Sequence, residues 1–182
     1  MITGAASAVV GLGFPFAGGY LKWPYVIPAW PPNAWQLTLL VWAVVSLGMF
    51  LMFRHAPSDR LRHLMRRALP LALAGFVLYV VVSAALTRAG PDYYVVIGFS
   101  LTPEIQQDIA NNRVPSGSAN DLIRSYGAES TERIWTGVPV ARTFVGLSYS
   151  FFLISVTAWL TLAMLLRDVG IDRNARSGPS HR

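Results

Sequence analysis

Three long runs without Asp, Glu, Lys, Arg or His constrain this chain more than any other feature. They cover residues 35–53, 68–87 and 143–166, and Arg54, Arg67, Arg88, Arg142 and Arg167 stand at their ends. An α-helix rises 1.5 Å per residue, so roughly 20 apolar residues cross the ~30 Å hydrocarbon layer of a bilayer. Each run meets that length. Pro70 falls in the first turn of the second run as bounded here, where a missing N–H costs little. The sequence therefore predicts an α-helical integral membrane protein with three transmembrane helices.

Composition points the same way. Charged residues make up 13% of the 182-residue chain, against ~25% in soluble domains, which need charge to cover their surface. Cysteine is absent, which excludes disulfides, thiolate metal sites and cysteine nucleophiles. The net charge is +6. A basic balance can signal nucleic acid, but here the charge sits in short segments beside apolar runs, as it does in cytoplasmic loops, so no nucleic-acid partner is expected. The Arg-, Ala- and Gly-rich usage points to a bacterial inner membrane.

Residues 1–34 carry one charge, Lys22, and are rich in glycine and proline. Both residue types penalise helix formation and insertion. A weak fourth span and an interfacial or re-entrant segment both remain open for residues 2–21. Gly11-Leu12-Gly13 resembles part of a nucleotide loop, but no strand precedes it and no basic residue follows. Residues 22–32 read as a non-helical strip at the membrane surface. Trp23, Trp30, Trp35 and Trp135 are read as interface anchors, because indole is apolar with one N–H that wants water.

Charge by segment sets the orientation. Residues 54–67 carry five Arg and one Asp, and residues 167–182 carry four Arg and two Asp, whereas residues 88–142 carry five Arg and six acids. The positive-inside rule places the basic loop 54–67 and the tail 167–182 in the cytoplasm, with residues 88–142 outside. The tail is expected to be disordered. Arg54, Arg60, Arg66 and Arg67 are expected at the inner surface, in contact with anionic lipid. His55 and His63 sit among arginines, which disfavours a bound cation.

Residues 88–142 read as a small α+β module. Residues 93–101 form an apolar, β-branched run with strand character. Thr102-Pro103-Glu104 has the order of a helix start, and Ser118 with Asp121 has capping-box spacing before a short helix ending at Gly127. Ser130 starts a third turn. The strand needs a partner for its N–H and C=O groups. Either residues 134–140 supply it or another chain does, which would make Tyr94, Val96 and Gly98 assembly residues.

Nothing here carries recognisable chemistry. The module contains no histidine, so Ser116 and Ser118 lack a base. Glu104 and Asp108 share a helix face but read as solvated. The spans hold no ionisable group of the kind transporters and proton relays use. Their polar content is hydroxyl: in the last span Ser148 and Ser155 share one face, while Ser150, Thr157 and Thr161 lie nearly opposite. Hydrogen bonds to their own helix are one reading, and two packing faces the other. The expectation is a non-enzymatic protein without cofactor or metal, assembling with itself or with a membrane-protein partner. The alternative is an oligomeric pore or membrane-disrupting effector.

Overall fold

The computed structural model describes residues 34–89, 94–114, 118–127 and 130–176. Its elements in order are α1 (Ala34–Phe53), α2 (Ser58–Leu86), β1 (Thr87–Ala89), β2 (Tyr94–Val96), β3 (Ser100–Leu101), α3 (Pro103–Ala110), α4 (Ala119–Tyr126), α5 (Thr131–Ile134), β4 (Trp135–Thr136) and α6 (Val138–Arg176). Helices α1, α2 and α6 are each long and apolar enough to cross a membrane. The N-terminal segment 1–33 and its expected span or strip lie outside the described residues.

Two expected boundaries move. Residues 54–67 were expected to be a loop, but α2 begins at Ser58. Pro57 occupies the N-cap position at φ −65°, and Asp59 supplies a first-turn acid. Pro70 consequently lies inside α2. At the other end, α6 continues through residues expected to be a disordered tail, reaching Arg176. Burial explains both extensions. Leu61 near the start of α2 is fully buried against Leu162 and Leu165 of α6, with Met65 and Val169 packed around them. At 1.5 Å per residue, the 39 residues of α6 span about 58 Å, well beyond the thickness of a hydrocarbon layer.

Helix α6 is the post on which the others pack: α2 runs along it and α1 leans on it. α2 and α6 approach closely at Gly75. A Cβ there would lie 3.1 Å from the Phe152 Cα and 3.2 Å from the Phe151 ring. One turn on, Tyr79 stacks on Phe152 with centroids 5.9 Å apart and meets Tyr149 at 5.2 Å. Further along, Val82 and Leu86 pack with Val96, Ala141 and Val145. That last cluster joins the helix pair to the module.

The module grows directly out of the helices. Strand β1 continues α2 without a break and pairs antiparallel with β2, while β3 pairs antiparallel with β4. β4 turns into α6 through Gly137 at φ +73°. The run 93–101 is thus divided at Gly98 and finds both partners within its own chain. Residues 134–140 supply one, as one expectation had it. The other is Thr87–Ala89, which the sequence presents only as the end of an apolar span. Backbone pairing continues past the strands: Ile97 N–H donates to Leu86 O at 2.8 Å, Phe99 N–H to Thr136 O at 3.0 Å, and Thr102 N–H to Ile134 O at 3.0 Å. The motive for pairing with a second chain disappears with these bonds.

Val95, Ile97, Ile105, Leu122, Ile123, Ile134, Trp135 and Val138 form the module core. Trp135 is only 5% exposed, so it is a core residue and not the surface anchor expected. The three long helices are the reverse. Eighteen of their large apolar side chains stand exposed, from Leu40 on α1 through Val77 on α2 to Ile154 on α6.

Gly98 and Gly48 make opposite predictions. A Cβ at Gly98 would meet Thr136 O at 2.0 Å, whereas one at Gly48 meets nothing within 4 Å. Gly98→Ala should destabilise by about 1–3 kcal/mol or more through forced displacement of β4. Gly48→Ala should leave stability unchanged or slightly raised, since helical glycine costs ~1 kcal/mol against alanine. Thermal unfolding in detergent micelles checks both.

Candidate functional site

The polar groups of the described residues fall into three places. The first is a seam of hydroxyls between the long helices. Thr38 of α1 and Tyr149 of α6 share a hydrogen bond of 2.6 Å, buried between the two helices. Further along the same pair, Thr161 Oγ1 donates to Thr157 O at 2.8 Å and lies 3.3 Å from Ser46 Oγ, within hydrogen-bond reach. Interhelical bonds in apolar surroundings are worth roughly 0.6–2 kcal/mol each.

The remaining hydroxyls of the last span serve mainly their own helix. Ser148 donates to Val145 O at 2.9 Å and Ser155 to Phe151 O at 2.7 Å. Thr157 is buried and Ser150 is half-buried. The Tyr79 and Ser83 hydroxyls lie one turn apart on α2, both buried and without a hydrogen bond of ordinary geometry. An unpaired buried hydroxyl costs about 1–3 kcal/mol. Thr38, Ser46, Tyr79 and Ser83 were not singled out from sequence. Their signal was faint: single hydroxyls inside apolar runs, with the partners of Thr38 and Ser46 on another helix.

The second place is the polar face of the module. Arg133 pairs with Glu104, and Arg142 with Glu132. Asp108 accepts a 3.0 Å hydrogen bond from Tyr126 OH and lies 3.6 Å from Arg113. The Asp121 carboxylate accepts from Ser118 N–H at 2.9 Å and from its hydroxyl at 3.1 Å, which is the expected capping box. The Thr102 hydroxyl donates to Arg133 O at 2.7 Å and ties the start of α3 to α5. Desolvation, followed by the hydrogen bond to Asp108, raises the Tyr126 phenol above its usual range. The bond and charge of Glu104 raise the Arg133 guanidinium likewise. Glu104 and Asp108 thus hold different partners. Among the described residues no three His, Asp or Glu side chains gather as metal ligands.

The third place is the basic edge. Arg54, Arg60, Arg66 and Arg67 are exposed, as are Arg62, His55 and His63. The Arg60 guanidinium lies 5.9 Å over the Phe53 ring, bracing the turn between α1 and α2. Of the three strand residues expected to mediate assembly, Tyr94 alone offers surface. Val96 is buried against Ala141 and Val145, and Gly98 is closed off by Thr136. Trp35 falls in the first turn of α1, while Trp23 and Trp30 lie outside the described residues.

No protein-family model, no curated protein and no solved structure matches this chain. Its function must be argued from the geometry.

The seam gives a paired test. Tyr149→Phe removes the bond to Thr38 and should cost about 1 kcal/mol. Tyr79→Phe removes a buried hydroxyl without a hydrogen bond of ordinary geometry and should be neutral or stabilising. Unfolding of the two variants side by side in the same detergent measures the contrast.

Proposed function

We propose that this chain is a multi-span membrane protein whose inter-helix module is a recognition and assembly head on the outer side, with the basic edge and C-terminal end in the cytoplasm. The membrane setting is supported by the outward apolar faces of α1, α2 and α6. Left in water, each large apolar side chain forgoes about 1.5–3 kcal/mol. Eighteen of them on three helices make far more exposed apolar surface than a water-facing domain ordinarily carries. Orientation follows from the positive-inside rule, with Arg54, Arg60, Arg62, Arg66 and Arg67 placed to contact anionic lipid. A bacterial inner membrane is the setting that the composition favours.

The observation that carries the recognition role is the mounting of the head. Val138 belongs to the module core, and Val96 of the module packs on Ala141 and Val145 of α6. The head is therefore held at a fixed attitude to the helices, as a presented surface requires. Among the described residues its acids Glu104, Asp108, Asp121 and Glu132 are taken up in ion pairs, a cap and a tyrosine contact. That pattern suits a binding surface better than a catalytic one. Since each strand already has a partner within the chain, assembly would run through the exposed faces of α3 and α4 or the outer faces of the long helices. A pore lined by Ser150, Thr157 and Thr161 has less support, because Thr157 is buried and Thr161 is engaged with α1.

Cysteine chemistry tests this reading, since the chain has no native thiol. A membrane-impermeant maleimide added to intact cells should label Asn112→Cys and spare Arg62→Cys. Crosslinking in those membranes through Gln107→Cys, exposed on α3, should trap a dimer or a larger adduct. Labelling of Arg62→Cys alone contradicts the orientation. A chain that stays monomeric at every exposed position of α3 and α4, and in mild detergent, contradicts assembly.

A further inference from the structure

Phe99 is the one large apolar side chain between β2 and α3 that the module does not bury: it is 59% exposed, whereas Val96 and Ile97 before it are buried. Its exposure is not that of a loose loop. The Phe99 N–H donates to Thr136 O, and Gly98 closes against the same carbonyl. The ring lies over Gly137, where a Cβ would come within 2.8 Å of the ring Cδ2. Gly137 has φ +73°, so its backbone disfavours a side chain as well as leaving no room for one.

The exposed large residues at the start of α6 are Val140, Phe144, Leu147, Phe151 and Ile154. Their spacing of four, three, four and three residues keeps them on one straight face. The next position of that series towards the N-terminus is Gly137, and the ring of Phe99 occupies the space its missing side chain would fill. Phe99 thus extends the outward apolar stripe of α6 by one position, from a different element of the fold. Gly137 precedes Arg142 by five residues, or about 7 Å along the helix axis. Arg142 pairs with Glu132, and Arg88 donates to Ala84 O and Thr87 O at the end of α2. These charged groups mark the level at which the apolar belt ends, and Phe99 stands just beyond it.

We infer that Phe99 is a wedge for the lipid surface: its ring rests at the headgroup–acyl boundary of the outer leaflet and holds the module down onto the bilayer. An aromatic ring suits that boundary because it is apolar and flat. The inference rests on the membrane reading above. It adds that the head touches lipid at a particular residue and does not stand clear in water.

Spin labels on single cysteines test it in vesicles of phosphatidylethanolamine and phosphatidylglycerol. Oxygen partitions into the acyl region and a nickel chelate stays in water, so their collision rates report depth. Leu147→Cys should read as acyl region and Asn112→Cys as water. Phe99→Cys should show an oxygen-to-nickel ratio several-fold above that of Asn112→Cys. Val140→Cys, next on the same stripe, should read deeper than Phe99→Cys and leaves Phe99 in place. If Phe99→Cys matches Asn112→Cys while Leu147→Cys keeps its acyl reading, the wedge is wrong and the membrane reading stands. If Leu147→Cys also reads as water, the membrane reading itself fails. If Phe99→Cys is shielded from both reagents, protein covers the ring and the lipid contact is overturned.

Discussion

The close antiparallel contact of α2 with α6 is the constraint on which the rest of this structure depends. At Gly75 the two helices approach until a single methyl group would press on the backbone of Phe152. A small residue at the crossing is how helices pack when apolar surroundings remove the hydrophobic drive to associate. From that point the interface spreads both ways. Towards one end, Tyr79, Tyr149, Phe152 and Leu153 fill it. Towards the other, Leu61 closes against Leu162 and Leu165 and keeps both helices wound past the ends of their apolar runs.

The module inherits its shape from that pair. Because β1 is a direct continuation of α2, and β4 leads into α6 through one glycine, the head starts and ends on two helices already fixed side by side. Two short sheets then suffice to close it, since each strand needs only two or three residues to bridge a gap the helices have set. α1 is held differently. It leans on α6 through the Thr38–Tyr149 and Ser46–Thr161 contacts, while Leu40, Val44, Leu47, Phe50, Leu51 and Met52 face outward. The seam therefore gives α1 a register that apolar contact with lipid could not provide.

Much of this was legible from residue order because it depends on local chemistry. Three charge-free runs announced three long helices, Thr102-Pro103-Glu104 announced α3, and Ser118 with Asp121 announced the cap of α4. What could not be read depends on contacts distant in sequence. Leu61, Leu64 and Met65 stand at helical spacing in the sequence, but that α2 and α6 continue past their apolar runs depends on Leu61 and Val169 packing across the helix pair. Thr87–Ala89 looked like the end of a span because its strand character appears only opposite Tyr94–Val96. Trp135 obeyed a composition rule for membrane surfaces and a packing rule for cores equally well, and packing decided. Gly98 looked available for assembly until Thr136 O was placed beside it. The hydroxyls of α6 were visible, but whether they served their own helix or a neighbour depended on Ser46 and Thr38, more than a hundred residues away.

The α2–α6 register is the central claim, and a thiol crosslink in intact membranes tests it most directly. Tyr79 and Tyr149 face each other with ring centroids 5.2 Å apart, and no native cysteine competes. With cysteines at both positions, a short bifunctional thiol reagent should join them within one chain, detected as a bridged peptide in a species that migrates as a monomer. Tyr79→Cys combined with Ile154→Cys, which points outward, should give little bridging. Failure of the 79–149 pair to bridge, or bridging only between two chains, would contradict the account of how these helices pack.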